Sequence, residues 1–166
     1  MKYLVALFTV LLFGCDHGQP SIIDIEVHFL LKDKSGNNLY DSATVGHYHF
    51  GDIRVYYMDG DKKTEVYHSN YDAPRNVFSI QEGPVPAIIR FFPYEGATSQ
   101  TEETINLIQW KVGDVDTVVT KIRKVDQSMF IDEVTINGKD LYIEGVTTPL
   151  VMFGNAYVDR LIELIK

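Results

Sequence analysis

Hydrophobic and polar residues alternate along the segment 23–31 with a period of two. One side of the alternation carries Ile23, Ile25, Val27, Phe29 and Leu31, and the other carries Asp24, Glu26, His28 and Leu30. This period is expected for a β-strand that packs one face on a core and exposes the other to water. The pattern predicts a first strand over 23–31, followed by a turn over 33–38, where Asp, Ser, Gly and Asn concentrate.

Eight further segments are rich in β-branched and aromatic residues and alternate with turn-forming residues. They are 53–58, 64–68, 76–80, 87–92, 104–110, 115–122, 133–136 and 139–143. Asp59-Gly60 and Asn137-Gly138 lie between neighbouring segments, and such pairs favour tight hairpin turns because they tolerate positive φ. About nine strands with few helical patterns predict an all-β fold over 22–166, an immunoglobulin-like β-sandwich, with a closed barrel as the alternative.

The end of the chain breaks this rhythm. Polar residues recur at helical spacing between Asn155 and Lys166. The apolar residues between them are Val158, Leu161, Ile162 and Ile165. This spacing favours a short amphipathic C-terminal helix with Asn155 as its N-cap. A last strand is the alternative, since valine and isoleucine also suit sheets.

The start of the chain carries the pattern of a secreted lipoprotein. Lys2 is followed by an apolar run that is typical of a signal peptide and shorter than the roughly 20 residues that span a bilayer. The run ends in Leu12-Phe13-Gly14-Cys15, which resembles a lipobox, with a small residue before the cleavage point and a cysteine thiol that takes the lipid. We expect a signal peptide over 1–14, a diacylglycerol and palmitate-type anchor on Cys15, and a polar tether over 15–21.

Composition and charge narrow the location and the partners. Cys15 is the only cysteine, so the lipidated chain has no thiol left for a disulfide. Loss of Lys2 with the signal leaves 14 of the 15 basic residues against 23 acidic ones, a net charge of about −9. This charge disfavours nucleic acid and leaves the N-terminal lipid as the membrane anchor. We expect a cell-envelope protein of the outer membrane, with the periplasmic and surface sides both open.

Three later motifs add a family resemblance. They are Lys32-Asp33-x-x-Gly36-x-Asn38-Leu39-x-Asp41, then Ile105-Asn106-Leu107-Ile108-Gln109-Trp110 with Asp116-Thr117, and Ile136-Asn137-Gly138-Lys139. Together with the lipobox, they resemble the small lipoproteins of Bacteroidetes cell envelopes that carry a domain of unknown function. The resemblance covers most of the mature chain, and its motifs are turns and strand edges. It implies a fold and a location, and it carries no catalytic residue.

Candidate metal sites in this sequence are incomplete. His47 and His49 have the i, i+2 spacing of two zinc ligands on a strand, but zinc requires three or four ligands, and nothing places a third nearby. Asp33, Ser35 and Asn37 alternate as in a calcium loop, but the bidentate glutamate is missing, since position 44 is threonine. We therefore expect no metal or other cofactor.

Candidate catalytic groups are also few. Asp114 and Asp116 lie on one predicted hairpin, where solvated turn charges are a better interpretation than an acid–base pair. The sequence has no Gly-x-Ser-x-Gly motif, no nucleotide-binding glycine loop and no free cysteine nucleophile. We therefore expect a protein that is not an enzyme.

Aromatic residues are the most suggestive feature, with ten tyrosines and one tryptophan. Adjacent Tyr56 and Tyr57 must point to opposite faces of their predicted strand. Exposed rings could stack on a sugar or pack on a partner, and ordinary strand packing is the alternative. The candidate ligand-binding aromatics are Tyr48, Tyr56, Tyr57, Tyr67 and Trp110.

The predicted function is therefore a membrane-anchored, non-enzymatic binding or interaction module. Its expected partner is a glycan or an envelope protein. The alternatives are a carbohydrate-binding accessory lipoprotein and a hydrolase whose site is assembled from residues distant in sequence.

Overall fold

The structure, a computed structural model, describes residues 21–80, 88–93, 101–146, 150–153 and 156–166. The predicted signal peptide, Cys15 and the tether up to Pro20 lie outside these residues. The described strands are β1 Ile23–Asp24, β2 Val27–Lys32, β3 Arg54–Asp59, β4 Lys62–Glu65, β5 Val77–Ile80, β6 Ile88–Phe91, β7 Thr101–Lys111, β8 Asp114–Val125, β9 Ser128–Ile136, β10 Lys139–Ile143, β11 Leu150–Phe153, β12 Ala156–Asp159 and β13 Leu161–Ile165. A single 3-10 turn at Phe50–Asp52 precedes β3.

The strands form two mixed sheets and a separate hairpin. The larger sheet has the order β1-β9-β8-β7-β3-β4, with β10 also paired to β9, and the smaller sheet has the order β13-β2-β6-β5. β1 runs parallel to β9 and β13 runs parallel to β2, whereas the other pairs are antiparallel. The all-β prediction is confirmed, and the two sheets are consistent with a sandwich. The finer immunoglobulin-like assignment stays a prediction.

All nine predicted strand segments contain strand in the structure. The described residues hold thirteen strands, because the predicted strand 23–31 is divided into β1 and β2 and because β11, β12 and β13 follow β10. Both predicted tight turns are present. Asn137 and Gly138 have φ of 51° and 77°, which suits the two-residue turn between β9 and β10.

The predicted C-terminal helix is wrong, and its strand alternative is confirmed. β12 and β13 cover most of the predicted helix, and Asn155 lies outside the described residues. β13 pairs in parallel with β2, from Leu161 opposite His28 to Ile165 opposite Lys32. The residues of β13 alternate between buried and exposed, which is the period of two of a strand. In so short a segment, this pattern is hard to distinguish from helical spacing in the sequence.

The first-strand prediction is correct for four of the five residues assigned to the buried face, and wrong for Ile23 on that face and for His28 and Leu30 on the other. Ile25, Val27, Phe29 and Leu31 are buried, as the alternation predicts. Ile23 is 63% exposed, whereas His28 and Leu30 are buried. β2 is an interior strand between β13 and β6, and β12 also contacts it.

Large apolar side chains join the two sheets. Phe29 on β2 meets Trp110 on β7 edge to face, with ring centroids 5.3 Å apart, and Phe91 on β6 lies 6.1 Å from Phe29. All three side chains are fully buried, and burial of each such side chain stabilises the fold by about 1.5–3 kcal/mol. Within the described residues, no helix has the length and apolar character needed to cross a membrane.

Candidate binding groove

The five candidate aromatic residues occupy very different environments. Trp110 has no exposed surface and Tyr48 is 7% exposed, so both rings lie inside the fold. Tyr56 and Tyr57 are half-buried on β3. Tyr67 is 57% exposed. The candidates therefore divide into two buried rings and three that reach the surface.

The buried pair belongs to a polar network between the sheets. Trp110 Nε1 donates a hydrogen bond of 2.6 Å to Asp116 Oδ2, and the Tyr48 hydroxyl donates one of 2.8 Å to Asp114 Oδ2. Lys166 Nζ donates to Asp114 Oδ1 at 2.9 Å and also to Asp116 Oδ2. Because Lys166 directly follows β13 and the two aspartates lie on β8, these bonds connect the sheets.

Hydrogen bonding controls the ionisation of this network. Burial alone would raise the pKa of Asp116, but donors from Lys166, Asn137 and Trp110 outweigh it and hold the pKa below its usual range. Burial, with the Asp114 carboxylate as acceptor, raises the pKa of the Tyr48 hydroxyl, which stays a donor. The interpretation of both aspartates as solvated turn charges is wrong, because Asp114 and Asp116 form ion pairs with Lys166 between the sheets. We call Tyr48, Trp110, Asp114, Asp116, Asn137 and Lys166 the Asp116 network.

Two of the surface aromatics meet in one groove. Tyr57 and Tyr67 line a concavity of about 280 Å³ at the edge of the larger sheet, which we call the hairpin groove. Its other lining residues are Asp59, Lys62, Thr64, Glu65, Val66 and His68. Its volume is close to the lower end of the range for small-molecule sites.

The β3–β4 hairpin builds this groove. Gly60 takes a φ of 56° in the turn, a conformation open to glycine at little cost. The antiparallel register sets Tyr57 opposite Thr64 and Asp59 opposite Lys62, so all four side chains share one face of the hairpin. An aromatic ring and three polar groups therefore point to the same side.

The segment after β4 brings Tyr67 to the same groove. Val66 is buried, and its amide donates to Val55 O at 2.8 Å. The His68 amide donates to Pro74 O at 2.7 Å. These two bonds fix the backbone on both sides of Tyr67, which presents its ring from a defined position.

Tyr56 lies away from the groove. Its neighbours in the strand order place it on the opposite face of β3, and Lys63 Nζ lies 3.7 Å from its ring centroid. Tyr56 therefore does not line the groove that Tyr57 and Tyr67 line, although all three were candidates from the sequence.

The loop 67–76 contributes aromatic residues that the sequence analysis did not select. The rings of His68 and Tyr71 are stacked, with centroids 4.8 Å apart and an interplanar angle of 29°. Tyr71 is 58% exposed. The Arg75 guanidinium lies 5.2 Å from the Tyr67 ring centroid. The one sequence feature that could have indicated Tyr71 is an aromatic residue within the polar turn cluster Ser69-Asn70-Tyr71-Asp72.

Charges around the hairpin groove are loosely paired. Glu65 Oε1 lies 3.8 Å from Arg54 Nε and 3.9 Å from Arg75 Nε, both longer than a hydrogen bond. Every residue of β4 is exposed. Exposed pairs of this kind contribute little to stability, so Glu65 can exchange these contacts for a ligand at small cost.

A second concavity adjoins the same loop. It has a volume of about 480 Å³ and is lined in part by Ile23, Tyr71, Phe78 and Phe92. Phe78 and Phe92 meet edge to face, with centroids 5.9 Å apart. We call this concavity the loop groove. Its polar lining residues are Asn70, Asp72 and Asn76.

One of the two weak metal motifs has a structural explanation. The rings of His47 and His49 are 4.8 Å apart, but no group of three or more metal-ligating side chains occurs in the part of the chain that the structure describes. Asp33 Oδ1 accepts hydrogen bonds of 2.8 Å from the amides of Ser35 and Asn37. This carboxylate therefore organises its own turn.

Comparison with known proteins adds nothing to this geometry. No family model, no curated protein and no solved structure matches the chain.

Proposed function

We propose that this chain is a lipid-anchored binding module of the cell envelope that holds its ligand in the hairpin groove. One observation carries the proposal: Tyr57 and Tyr67, selected from the sequence as ligand contacts, line the same groove. Exposed aromatic rings beside polar groups are typical of recognition surfaces. The proposed module binds its partner without chemically changing it.

The groove combines two properties that a reversible binding site needs. Tyr57 packs against the core and forms a firm wall. Tyr67 offers an exposed ring whose position is set by the backbone bonds of Val66 and His68. A ring that is already positioned loses little conformational entropy when a ligand binds.

The proposed anchor is the acylated Cys15. Ser21 opens the described chain and β1 begins at Ile23, so few residues separate the lipid from the domain. Cys15→Ala should leave the protein without label from an alkyne analogue of palmitate and should release it from the membrane fraction. Labelling of the Cys15→Ala protein at the wild-type level would contradict the lipobox prediction.

The groove is tested with the full chain in detergent, immobilised and exposed to envelope extract. Tyr67→Ala should lose the material that the wild type retains. Tyr56→Ala is the matched control, because it removes a tyrosine from the opposite face of the same hairpin. Equal retention by the wild type and Tyr67→Ala would overturn the assignment of the groove.

A hydrolase is the second candidate, because Asp59, Glu65 and His68 line the same groove. Two carboxyl groups facing one sugar can act as acid and base, but the register sets Asp59 and Glu65 on opposite faces of the hairpin. Both carboxylates are also exposed, and a site open to bulk water gives weak electrostatic catalysis. Release of reducing sugar from envelope glycans by the wild type, and its loss in Glu65→Gln, would favour this candidate over simple binding.

A further inference from the structure

The two grooves meet at the His68–Tyr71 stack. His68 lines the hairpin groove, Tyr71 lines the loop groove, and their rings lie 4.8 Å apart. Aromatic residues line both grooves, Tyr57, Tyr67 and His68 in the first and Tyr71, Phe78 and Phe92 in the second. The two grooves have volumes of about 280 and 480 Å³, and the loop 67–76 contributes lining residues to both.

Each groove has the same mixture of chemistry. The hairpin groove is lined by Tyr57 and Tyr67 together with polar residues, among them Asp59, Thr64 and Glu65. The loop groove combines Tyr71 and Phe92 with polar groups, which are Asn70, Asp72 and Asn76. Aromatic faces suit the C–H side of a sugar ring, and carboxylate or amide oxygens accept hydrogen bonds from its hydroxyls.

We propose that the ligand is a neutral oligosaccharide that spans both grooves, with the His68–Tyr71 stack as the platform between them. This inference rests on the proposed binding function and specifies its ligand class and length. One sugar lies against Tyr67 in the hairpin groove, and sugars further along the chain reach Tyr71 and the loop groove. A monosaccharide fills only one groove, so affinity rises with chain length.

The charges favour a neutral ligand. The hairpin groove carries Asp59 and Glu65 against Lys62, and the loop groove carries Asp72. A chain with 23 acidic and 15 basic residues also repels polyanions. Carboxylates in such a groove are better suited to accept hydrogen bonds from hydroxyl groups than to face another anion.

The sheet edge disfavours an extended peptide. Peptides that add to a sheet pair with the backbone of an exposed edge strand. Here the edge strand is β4, and it carries exposed Lys62 and Lys63, the residue type that blocks such pairing. The hairpin groove beside this edge is instead lined by the aromatic residues Tyr57, Tyr67 and His68.

The test uses the full chain in detergent on an array of neutral and anionic glycans of graded length. Titration calorimetry then compares a monosaccharide, a disaccharide and a hexasaccharide of the neutral series that binds. The hexasaccharide should bind about tenfold more tightly than the disaccharide, the effect of one further stacked ring. Absence of glycan binding, equal affinity at all lengths, or preference for anionic glycans would overturn the inference.

Variants assign the two grooves. Tyr71→Ala should reduce hexasaccharide affinity to that of the disaccharide and leave disaccharide affinity unchanged, whereas Tyr67→Ala should weaken both and Tyr56→Ala neither. Wild-type hexasaccharide affinity in Tyr71→Ala would contradict the spanning ligand. If Tyr67→Ala loses envelope material but only a peptide or protein partner is recovered, the binding function stands and the glycan inference fails.

Discussion

The Asp116 network and the hairpin groove contain the same kinds of residue in opposite states. In the network, Trp110, Tyr48 and Lys166 are donors whose acceptors lie between 2.6 and 2.9 Å away, with one closer contact from Lys166 to Asp116. In the groove, Glu65 lies 3.8 and 3.9 Å from its nearest guanidinium nitrogens, and Tyr67 is largely exposed. Tyrosine, carboxylate and cation thus hold the sheets together at one place and are exposed and loosely paired at the other.

The difference follows from water. A buried charge is very costly unless its hydrogen bonds are complete, so Asp116 is held by Lys166, Asn137 and Trp110 together. An exposed charge keeps its hydration, so Glu65 needs no fixed partner. Pairing and burial, more than residue type, separate the polar groups that join the sheets from those that line the hairpin groove.

The largest expected effect breaks the buried side of this comparison. Asp116→Ala should lower the free energy of unfolding by about 3–5 kcal/mol, because it leaves Lys166 buried with one partner fewer. Asp59→Ala, which removes a carboxylate from the groove, should change it by less than about 0.5 kcal/mol. Urea denaturation followed by tryptophan fluorescence gives both values. Equal losses would mean that the two carboxylates have equivalent roles.

Acid should affect the network through Asp116. Its pKa is lowered in the folded state from the ordinary value of 3.8, so the stability it contributes is present above pH 3.8 and is lost as the pH falls through the folded-state pKa. Asp116→Asn should therefore flatten the decline in stability below pH 3.8. Urea midpoints measured across pH 2 to 6 test this, and an unchanged slope in Asp116→Asn would assign the decline to other carboxylates.

A smaller effect on the free energy of unfolding is expected from two buried threonines on the inner face of the larger sheet. Thr104 and Thr120 are opposite each other on β7 and β8, and within the described residues their buried hydroxyls have no hydrogen-bond partner. Thr120→Val keeps the side-chain shape and removes the unpaired hydroxyl, so it should stabilise the fold by about 1 kcal/mol. Thr117→Val on the half-buried opposite face is the control, and a stabilisation of equal size there would remove this explanation.

Local patterns predicted most of the strands, because alternation and turn residues act over neighbouring positions. The tight turns at Gly60 and Gly138 were predictable for the same reason. The parallel pairing of β13 with β2 was not predictable, because the paired residues, such as Glu163 and Leu30, are separated by most of the sequence. Nothing local in the last segment indicates that partner, and its spacing fits a helix as well as a strand.

The sites divide in the same way. Tyr57 and Tyr67 were both selected from the sequence, but their common groove was not predictable, because Tyr67 lies beyond the paired residues of the β3–β4 hairpin. The burial of Tyr48 was not predictable either, because its partner Asp114 is 66 positions away. Tyr71 was missed because it lies in a polar loop. In a loop, no regular spacing of apolar residues predicts which side chains are exposed.

The smallest expected effect on folding is also the one that separates the two regions most clearly. Tyr67→Ala should change the free energy of unfolding by less than about 0.5 kcal/mol, because the ring is 57% exposed. Tyr48→Ala should cost about 3–5 kcal/mol, because it opens a cavity beside the core and deprives Asp114 of a donor. Binding should show the opposite order, with Tyr67→Ala losing the ligand and folded Tyr48→Ala, measured well below its midpoint, retaining it. Urea denaturation and titration of the same two samples give all four values. If Tyr67→Ala unfolds as easily as Tyr48→Ala, the exposed ring is part of the fold, and the groove loses its claim to be a surface kept for a partner.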